Sequence, residues 1–221
     1  MRIGRLILMQ LLVIAGLGVI GAVGWYYWHL NYTYVITQDA SITAPSIPMV
    51  AMASGSLTSI SVKPGETVAS GQVIGQETMP VTRKGAGATT TTVNLTAPVA
   101  GVIATVDALP GAPLAAGTPI LTEVQLGRIT VVANVPETRI RNIHPGNTAT
   151  IYVDAHPGVS FSGTVKNIQP TTQSFFSLLP TSATAGNFTK VTQRIPVTLS
   201  IDSAGYTLLP GESCEVKIQI R

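Results

Sequence analysis

The chain has 221 residues, of which 45% are hydrophobic and only 10% are charged, and its formal net charge is +3. This length is enough for one or two small domains with cores of their own, and the single cysteine, Cys214, excludes an intramolecular disulfide. Of the 13 basic residues, Arg2 and Arg5 precede all others, which leaves 11 against 10 acidic residues, a balance that argues against a nucleic-acid partner.

An uncharged segment opens the chain. No Asp, Glu, Lys or Arg occurs between Arg5 and Asp39, and the apolar residues 6–28 are numerous enough to cross a bilayer as a helix. The positive-inside tendency then predicts a cytoplasmic segment at 1–5, a transmembrane helix at 6–28 and an exported remainder. The apolar stretch is longer than the roughly 7–15-residue core of a signal peptide, which favours a retained anchor over a cleaved leader.

Residues 55–74 and 101–120 are two copies of one unit at a constant offset of 46 positions. Their glycines and Pro-Gly pairs allow so short a unit to double back. These turn residues are Gly55, Pro64, Gly65 and Gly71 in the first copy and Gly101, Pro110, Gly111 and Gly117 in the second. Because two copies are too few for a solenoid, we expect them to pair into one module over 46–125, with half-motifs at 46–76 and 94–125.

The segment between the half-motifs, 77–93, is rich in Gly and Thr and predicts a short flexible loop. After the repeat, Val, Ile and Thr alternate with polar residues in short runs between Pro-Gly turns, a pattern typical of half-buried strands. Residues 136–143 predict one short helix, with Glu137 near its N-terminus. Residues 126–221 therefore form a second, all-β module.

The repeated unit, Gly-x-Leu-x-x-Ile-x-Val-x-Pro-Gly-x-x-Val-Ala-x-Gly, resembles half of a biotinyl/lipoyl carrier domain, in which two halves interlock into a flattened β-sandwich. Other stretches narrow the resemblance to the HlyD-family membrane fusion proteins, or periplasmic adaptors, of the EmrA-like branch. They are Thr-Gln-Asp-Ala-Ser-Ile at 37–42, the Val-x-Ala-Asn-x-x-Glu-Thr segment beginning at Val131, Ser-Phe-Phe-Ser-Leu-Leu-Pro at 174–180, and Ala-Gly-Asn-Phe-Thr-Lys-Val-Thr-Gln-Arg-Ile-Pro-Val at 185–197.

The resemblance implies a mainly β protein in which an N-terminal transmembrane helix precedes a lipoyl-like barrel-sandwich module. That module is inserted into a discontinuous β-barrel, whose first strand lies in 29–45 and whose remainder is 126–221. It also implies a function: an adaptor subunit of an efflux system for drugs or other toxic small molecules in the bacterial inner membrane, with its bulk in the periplasm. Its partners would be an EmrB-like major-facilitator (MFS) transporter and further copies of itself.

The chain departs from the family pattern between its half-motifs. Family members usually insert a long α-helical coiled-coil hairpin there, which reaches toward an outer-membrane channel. The 17 residues of 77–93 are too few for two antiparallel helices of useful length. We therefore expect the usual tip for docking a TolC-type channel to be missing.

Two groups of residues are candidate partner contacts. Arg139 and Arg141, on the predicted short helix, are placed to meet acidic groups of a transporter, although a solvated face is the default for such residues. The long irregular segment 170–192 carries apolar residues that would be costly to leave in water, so it should pack on its own barrel or on a partner. These residues are Phe175, Phe176, Leu178 and Leu179.

Two alternatives to the adaptor remain open at the level of sequence. Lys84 lies between the half-motifs, where a carrier domain bears its biotin or lipoyl lysine, but its neighbours lack the carrier setting. The other alternative is an envelope structural protein that has lost the transport role. Asp154 with His156, and Met49 with Met52, are too few ligands to predict a metal site. No catalytic or cofactor-binding motif stands out, so we expect no enzyme.

Overall fold

The structure is a computed structural model that describes residues 2–81, 89–172, 175 and 192–220. It begins with a long helix, α1 (Arg2–Thr33), in which Met9–Trp28 is apolar and long enough to cross a membrane. Trp28 lies 5.6 Å from Trp25 and stacks on Tyr32 at 5.4 Å between ring centroids. Such amphipathic rings favour the headgroup region at one end of a membrane span.

Strands and turns make up almost all of the remaining described chain. In chain order the elements are β1 (Tyr34–Thr43), β2 (Ser46–Val50), β3 (Gly55–Ile60), β4 (Thr67–Val68), β5 (Val73–Val81), β6 (Thr89–Thr96), β7 (Gly101–Val106), β8 (Pro113–Leu114), β9 (Pro119–Val124), a 3₁₀ helix (Leu126–Arg128), β10 (Thr130–Pro136), α2 (Glu137–Ile140), β11 (Thr148–Val153), β12 (Ser160–Ile168), β13 (Arg194–Ile201) and β14 (Ser213–Gln219). The mainly β fold class predicted from the alternating pattern is confirmed.

One compact unit comprises Met1–Ser41, Val131–Ala204 and Ser213–Arg221. Its strands close into a six-stranded barrel in the order β1-β10-β13-β12-β11-β14. Period-two alternation directs one side of each strand inward, as in β10, where Val131, Ala133 and Val135 are fully buried and their neighbours are half-buried. The strand from the start of the chain is thus part of a barrel otherwise built from its second half, which is the discontinuity that the resemblance implied.

The other unit, Ile42–Thr130 with Gly205–Glu212, contains the repeat as two four-stranded sheets. Their orders are β2-β9-β7-β4 and β6-β5-β3-β8. Each sheet borrows a two-residue strand from the other copy: Gly55 pairs with Leu114, and Val68 pairs with Gly101. The two half-motifs therefore interlock as predicted.

Backbone hydrogen bonds repeat this exchange at the offset of 46 residues. Gly65 N donates to Ile103 O at 2.8 Å, and Gly111 N donates to Leu57 O at 2.7 Å. Gly65 and Gly111 follow prolines and adopt φ of +86° and +87°, a region open mainly to glycine, so each Pro-Gly turn returns the chain to the opposite copy. Leu57 and Ile103 are fully buried in one core that both copies share.

The predicted loop at 77–93 is wrong in part. Residues 77–81 and 89–93 pair with each other, and the ladder from Val73↔Thr96 to Val81↔Thr89 makes one long hairpin of β5 and β6. The run Thr89–Thr92 reads as low complexity, yet threonine is β-branched and suits a strand when a partner strand is present. The predicted short helix is likewise confined to the four residues of α2.

Candidate partner-binding site on the barrel

Three of the segments that carry the family resemblance meet on the outside of the barrel. Asp39 of β1, Asn134 of β10 and Arg194 of β13 lie on neighbouring strands. Arg194 Nη1 is 3.2 Å from Asp39 Oδ2, and Asn134 Nδ2 donates to Asp39 Oδ1 at 3.0 Å. Arg194 Nη1 also donates to the main-chain O of Asn134 at 3.3 Å. We name these three residues the Asp39 cluster.

A β-bulge in β1 puts Asp39 at this surface. The pairing of β1 with β14 shifts register between Thr37 and Ala40, so two consecutive residues, Gln38 and Asp39, are exposed where strict alternation would bury one. The buried Thr37 fixes the bulge, because its hydroxyl donates to Asn134 O at 2.9 Å and accepts from Asp39 N at 3.3 Å. The sequence motif is therefore explained by the backbone distortion that aims its carboxylate outward.

The Asp39 cluster borders a surface concavity of about 460 Å³. Its lining residues are Ile36, Thr37, Gln38, Asp39, Pro136 and Arg194. The side chains of Asp39 and Arg194 remain 48% and 42% exposed, so water screens their attraction and the ion pair adds little to stability. Charged groups held in fixed positions around an open concavity are suited to recognising a polar loop of another protein.

The short helix lies beside this surface. Glu137 N, at the start of α2, donates to the main-chain O of Gln193 at 3.0 Å, next to Arg194. Of the predicted contact residues on or after α2, Arg139 is half-buried and Arg141 is exposed. Phe175 is 73% exposed, whereas Phe176, Leu178 and Leu179 lie outside the described residues, as does Lys84.

A second concavity, of about 660 Å³, lies on the barrel and is lined mainly by small polar residues such as Thr150, Ser162 and Ser200. Its charged side chains are Asp202 and Lys217, and the Lys217 ammonium lies 4.3 Å from the ring centroid of Tyr34. Within the ranges that the structure describes, no group of three or more His, Cys, Asp or Glu side chains is arranged to hold a metal. Hydroxyl groups, one carboxylate and one ammonium group make this second concavity a polar surface.

Two buried carboxyl groups lie in the repeat unit and were not predicted from the sequence. Glu77 and Glu123 occupy equivalent positions of the repeat, 46 residues apart, and are 2% and 0% exposed. Met52 N donates to Glu77 Oε2 at 3.4 Å, but the residue equivalent to Met52 in the second copy is Pro98, which has no N–H. Both oxygens of Glu123 lack a hydrogen-bond partner among the described residues, and burial raises the pKa of its carboxyl group. Extending the repeat alignment beyond Ile74 would have found the pair.

Known proteins resemble this chain over part of the barrel or along nearly its whole length. The family model of the CusB-like β-barrel domain matches residues 128–175. YhbJ of Bacillus subtilis, named as an efflux system component, is 33% identical over 218 residues, which cover 99% of this chain and 94% of that protein. The colistin resistance protein EmrA of Acinetobacter baumannii is 33% identical over 126 residues, 56% of this chain but only 36% of that longer protein.

Solved structures share the fold at low identity. The periplasmic adaptor protein EmrA matches with a TM-score of 0.54 at 13% identity, over 85% of this chain and 98% of that one. A MacA–MexA chimera that carries the α-hairpin domain of Pseudomonas aeruginosa MexA matches with a TM-score of 0.64 at 12% identity, over 86% and 81%. With the near-complete match to YhbJ, the interlocked repeat and the closed barrel, these likenesses show that the chain belongs to the EmrA-like branch of the HlyD family of membrane fusion proteins.

Proposed function

We propose that this adaptor serves an efflux system that exports drugs or other toxic small molecules, together with a major-facilitator transporter. The observation that carries the proposal is the match to YhbJ along anchor, repeat and barrel, supported by the partial match to a colistin resistance protein. The adaptor would supply attachment and a conduit, and the transporter would supply the energy. No catalytic step is required of the chain.

The proposed orientation places the N-terminus in the cytoplasm and both β units on the outer side of the inner membrane. Arg2 and Arg5 lie immediately before the apolar span, and no acidic residue offsets them. Lys and Arg close to a span favour the cytoplasmic side. α1 ends at Thr33 and β1 begins at Tyr34, so in this proposed orientation the barrel strand would emerge directly from the anchor on the exported side.

We further propose that the Asp39 cluster contacts the exported surface of the transporter. Three arguments support this: its residues come from three separate segments, its ion pair contributes little to stability, and it borders an open concavity. Several copies of the adaptor would act together. With seven residues, 82–88, between β5 and β6, the chain is too short there for the coiled-coil hairpin that would reach an outer-membrane channel.

Export assays in cells that depend on this adaptor and its transporter would test the proposal. Arg194→Asp is expected to reduce drug resistance, while Lys166→Asp, an equal charge change at an exposed site on β12, should leave it unchanged. Equal membrane levels of the variants are required. Loss of the adaptor gene with no change in drug resistance or export would contradict the proposed function.

An exchange variant separates partner contact from internal support. Asp39→Arg combined with Arg194→Asp restores opposite charges within the cluster but reverses what a partner meets. If the cluster contacts the transporter, the exchange variant remains defective. Full recovery of resistance would show that only the internal ion pair matters, and would refute the proposed contact.

A further inference from the structure

We infer that the outer edge of β6 is a strand-pairing surface on which a second copy of this chain docks antiparallel, about a two-fold axis. This inference takes from the proposed function only the expectation that several copies assemble; the surface itself is identified from the sheet edges. β6 ends the sheet β6-β5-β3-β8 and is paired with β5 on one side along its length. Main-chain groups on the other side of an edge strand are available to another strand.

The other sheet edges of the repeat unit are blunted. β4 and β8 are only two residues long, and β8 begins with Pro113. β2 carries Pro48 at its centre, which removes a main-chain donor. The barrel is closed and has no edge. Short strands, prolines and closure are the devices by which native proteins protect sheet edges from other chains.

β6 has none of these devices. It is eight residues long, contains neither proline nor a charged residue, and the register shift in its ladder lies at the far end, between Val73 and Gly75 of β5. Three successive threonines, Thr90–Thr92, are exposed. Threonine is among the residues that favour strand pairing, so this edge is open in both geometry and composition.

The tip of the hairpin also lacks strands to support it. β3 pairs with β5 only as far as Thr78, so Met79–Val81 and Thr89–Thr91 form a ribbon of two strands. An isolated two-stranded ribbon is marginally stable in water, and three or more strands are needed for independent stability. A second hairpin docked edge to edge would turn two ribbons into one four-stranded sheet.

The occupant is a second copy because pairing requires two open edges. Of the sheet edges that the structure describes, only β6 lacks these protecting features. Two copies of this chain that pair through an unprotected edge on each side must therefore join β6 to β6. A contact of the same surface with itself is isologous and closes after two copies, which leaves no edge for further growth.

Side chains on one face of the sheet support the same pairing. The hydroxyl oxygens of Thr58 and Thr78 are 2.7 Å apart, and those of Thr78 and Thr92 are 3.2 Å apart, so a row of hydroxyl groups crosses β3 and β5 and reaches β6. Thr–Thr pairs across strands are favourable. A threonine of the second copy would continue this row, and β6 itself carries no charged residue to oppose the contact.

Cysteine cross-linking of the full chain in detergent micelles tests the inference. With Cys214 replaced by Ser, single cysteines are placed at Thr90, Thr91 and Thr92, and at Thr67, an exposed threonine on the blunted edge β4. We expect the best β6 position to form disulfide dimers at least about tenfold faster than Thr67→Cys, because docking holds the two thiols at high effective concentration. Equal rates on β6 and at Thr67 would overturn the inference.

Charge complementation gives an independent readout. Thr91→Lys and Thr91→Glu each place like charges on the two facing edges and should lower the dimer fraction, whereas a mixture of the two variants should recover it as mixed dimers. Unchanged dimer fractions in both single variants, or no recovery on mixing, would also overturn the inference. Because purified protein needs no transporter, failure here is distinct from failure of the export assay.

Discussion

Glu123 provides the sharpest test of the energetics, because the repeat supplies its own control. In Glu123→Met the carboxyl group is replaced by an apolar group of similar length. The parent side chain is fully buried, and neither of its oxygens has a partner among the described residues. Since a buried polar group without a hydrogen bond costs about 1–3 kcal/mol, the variant should be more stable by about that amount at neutral pH.

The matched control is Glu77→Met. Glu77 occupies the equivalent position and is also buried, but one of its oxygens accepts a hydrogen bond from Met52 N at 3.4 Å. Its removal would leave that N–H unpaired, which offsets the gain, so Glu77→Met should stay within about 1 kcal/mol of the parent. The difference between the two variants follows from Pro98, which provides no donor to Glu123.

The assay must report on the repeat unit itself. Both tryptophans, Trp25 and Trp28, lie in the anchor, so tryptophan fluorescence does not follow this unit. Hydrogen exchange at core amides such as Ile103 and Leu121 does, with the full chain in detergent. A gain of about 1–3 kcal/mol slows exchange by roughly 5- to 150-fold. Faster exchange in Glu123→Met than in the parent would refute the reasoning.

The same residue gives a pH dependence of defined sign. Burial raises the pKa of Glu123 above its usual value of 4.5, so the folded unit binds this proton more tightly than the unfolded chain does. The stability that this tighter proton binding contributes is fully present below the usual pKa of the unfolded chain. It is lost as the pH rises through the higher pKa of the folded state. The stability difference between Glu123→Gln and the parent should therefore grow with pH across that window. A difference that is constant with pH would contradict this assignment.

Three further predictions concern packing, the Asp39 cluster and the thiol. Gly101→Ala would place a Cβ 2.7 Å from Val124 O and should destabilise the repeat unit by about 1–3 kcal/mol. Gly127→Ala is the control, because Gly127 has open space around it and its substitution should not destabilise the unit. Equal effects of the two substitutions in hydrogen-exchange experiments would refute this prediction. Arg194→Ala should change the free energy of unfolding of the barrel by less than about 1 kcal/mol in denaturant titrations, because the ion pair with Asp39 is exposed. A larger loss of stability would mean that the Asp39 cluster supports the fold. Cys214 is 2% exposed and should react with a water-soluble maleimide only when the barrel unfolds, and rapid labelling of the native chain would contradict that burial.

Much of this fold could be predicted because it is encoded locally. Alternation of Val, Ile and Thr with polar residues predicted strands within residues 126–221, and β11 (Thr148–Val153) is one of them. The Pro-Gly pairs predicted turns, and Gly65 and Gly111 adopt the positive φ that such turns require. The interlocking of the half-motifs followed from the repeat, since neither copy can bury its apolar face alone.

The site was less predictable, because it depends on contacts between distant segments. Asp39, Asn134 and Arg194 were each within a quoted motif, yet no pattern indicated that they touch. The contact depends on the bulge at Gln38 and Asp39, which turns the Asp39 side chain outward. The bulge is a shift in the register between β1 and β14, two strands that are far apart along the chain. The helix α2, which carries the predicted contact residue Arg139, is hydrogen-bonded to Gln193 next to the cluster, whereas the apolar group predicted near 175–179 has only Phe175 in the described structure.

The amino-acid sequence by itself determined the apolar anchor, the strand-rich composition and the duplicated unit, since each depends on the order of neighbouring residues along the chain. Only the tertiary structure decided that β6 pairs with β5 into a long hairpin, that Pro98 offers no N–H at the position where Met52 donates to Glu77, and that the Asp39 cluster assembles. The physical reason is that strand register, hydrogen-bond geometry and the position of a strand at a sheet edge depend on which distant segments pair. That pairing exists only in the folded protein.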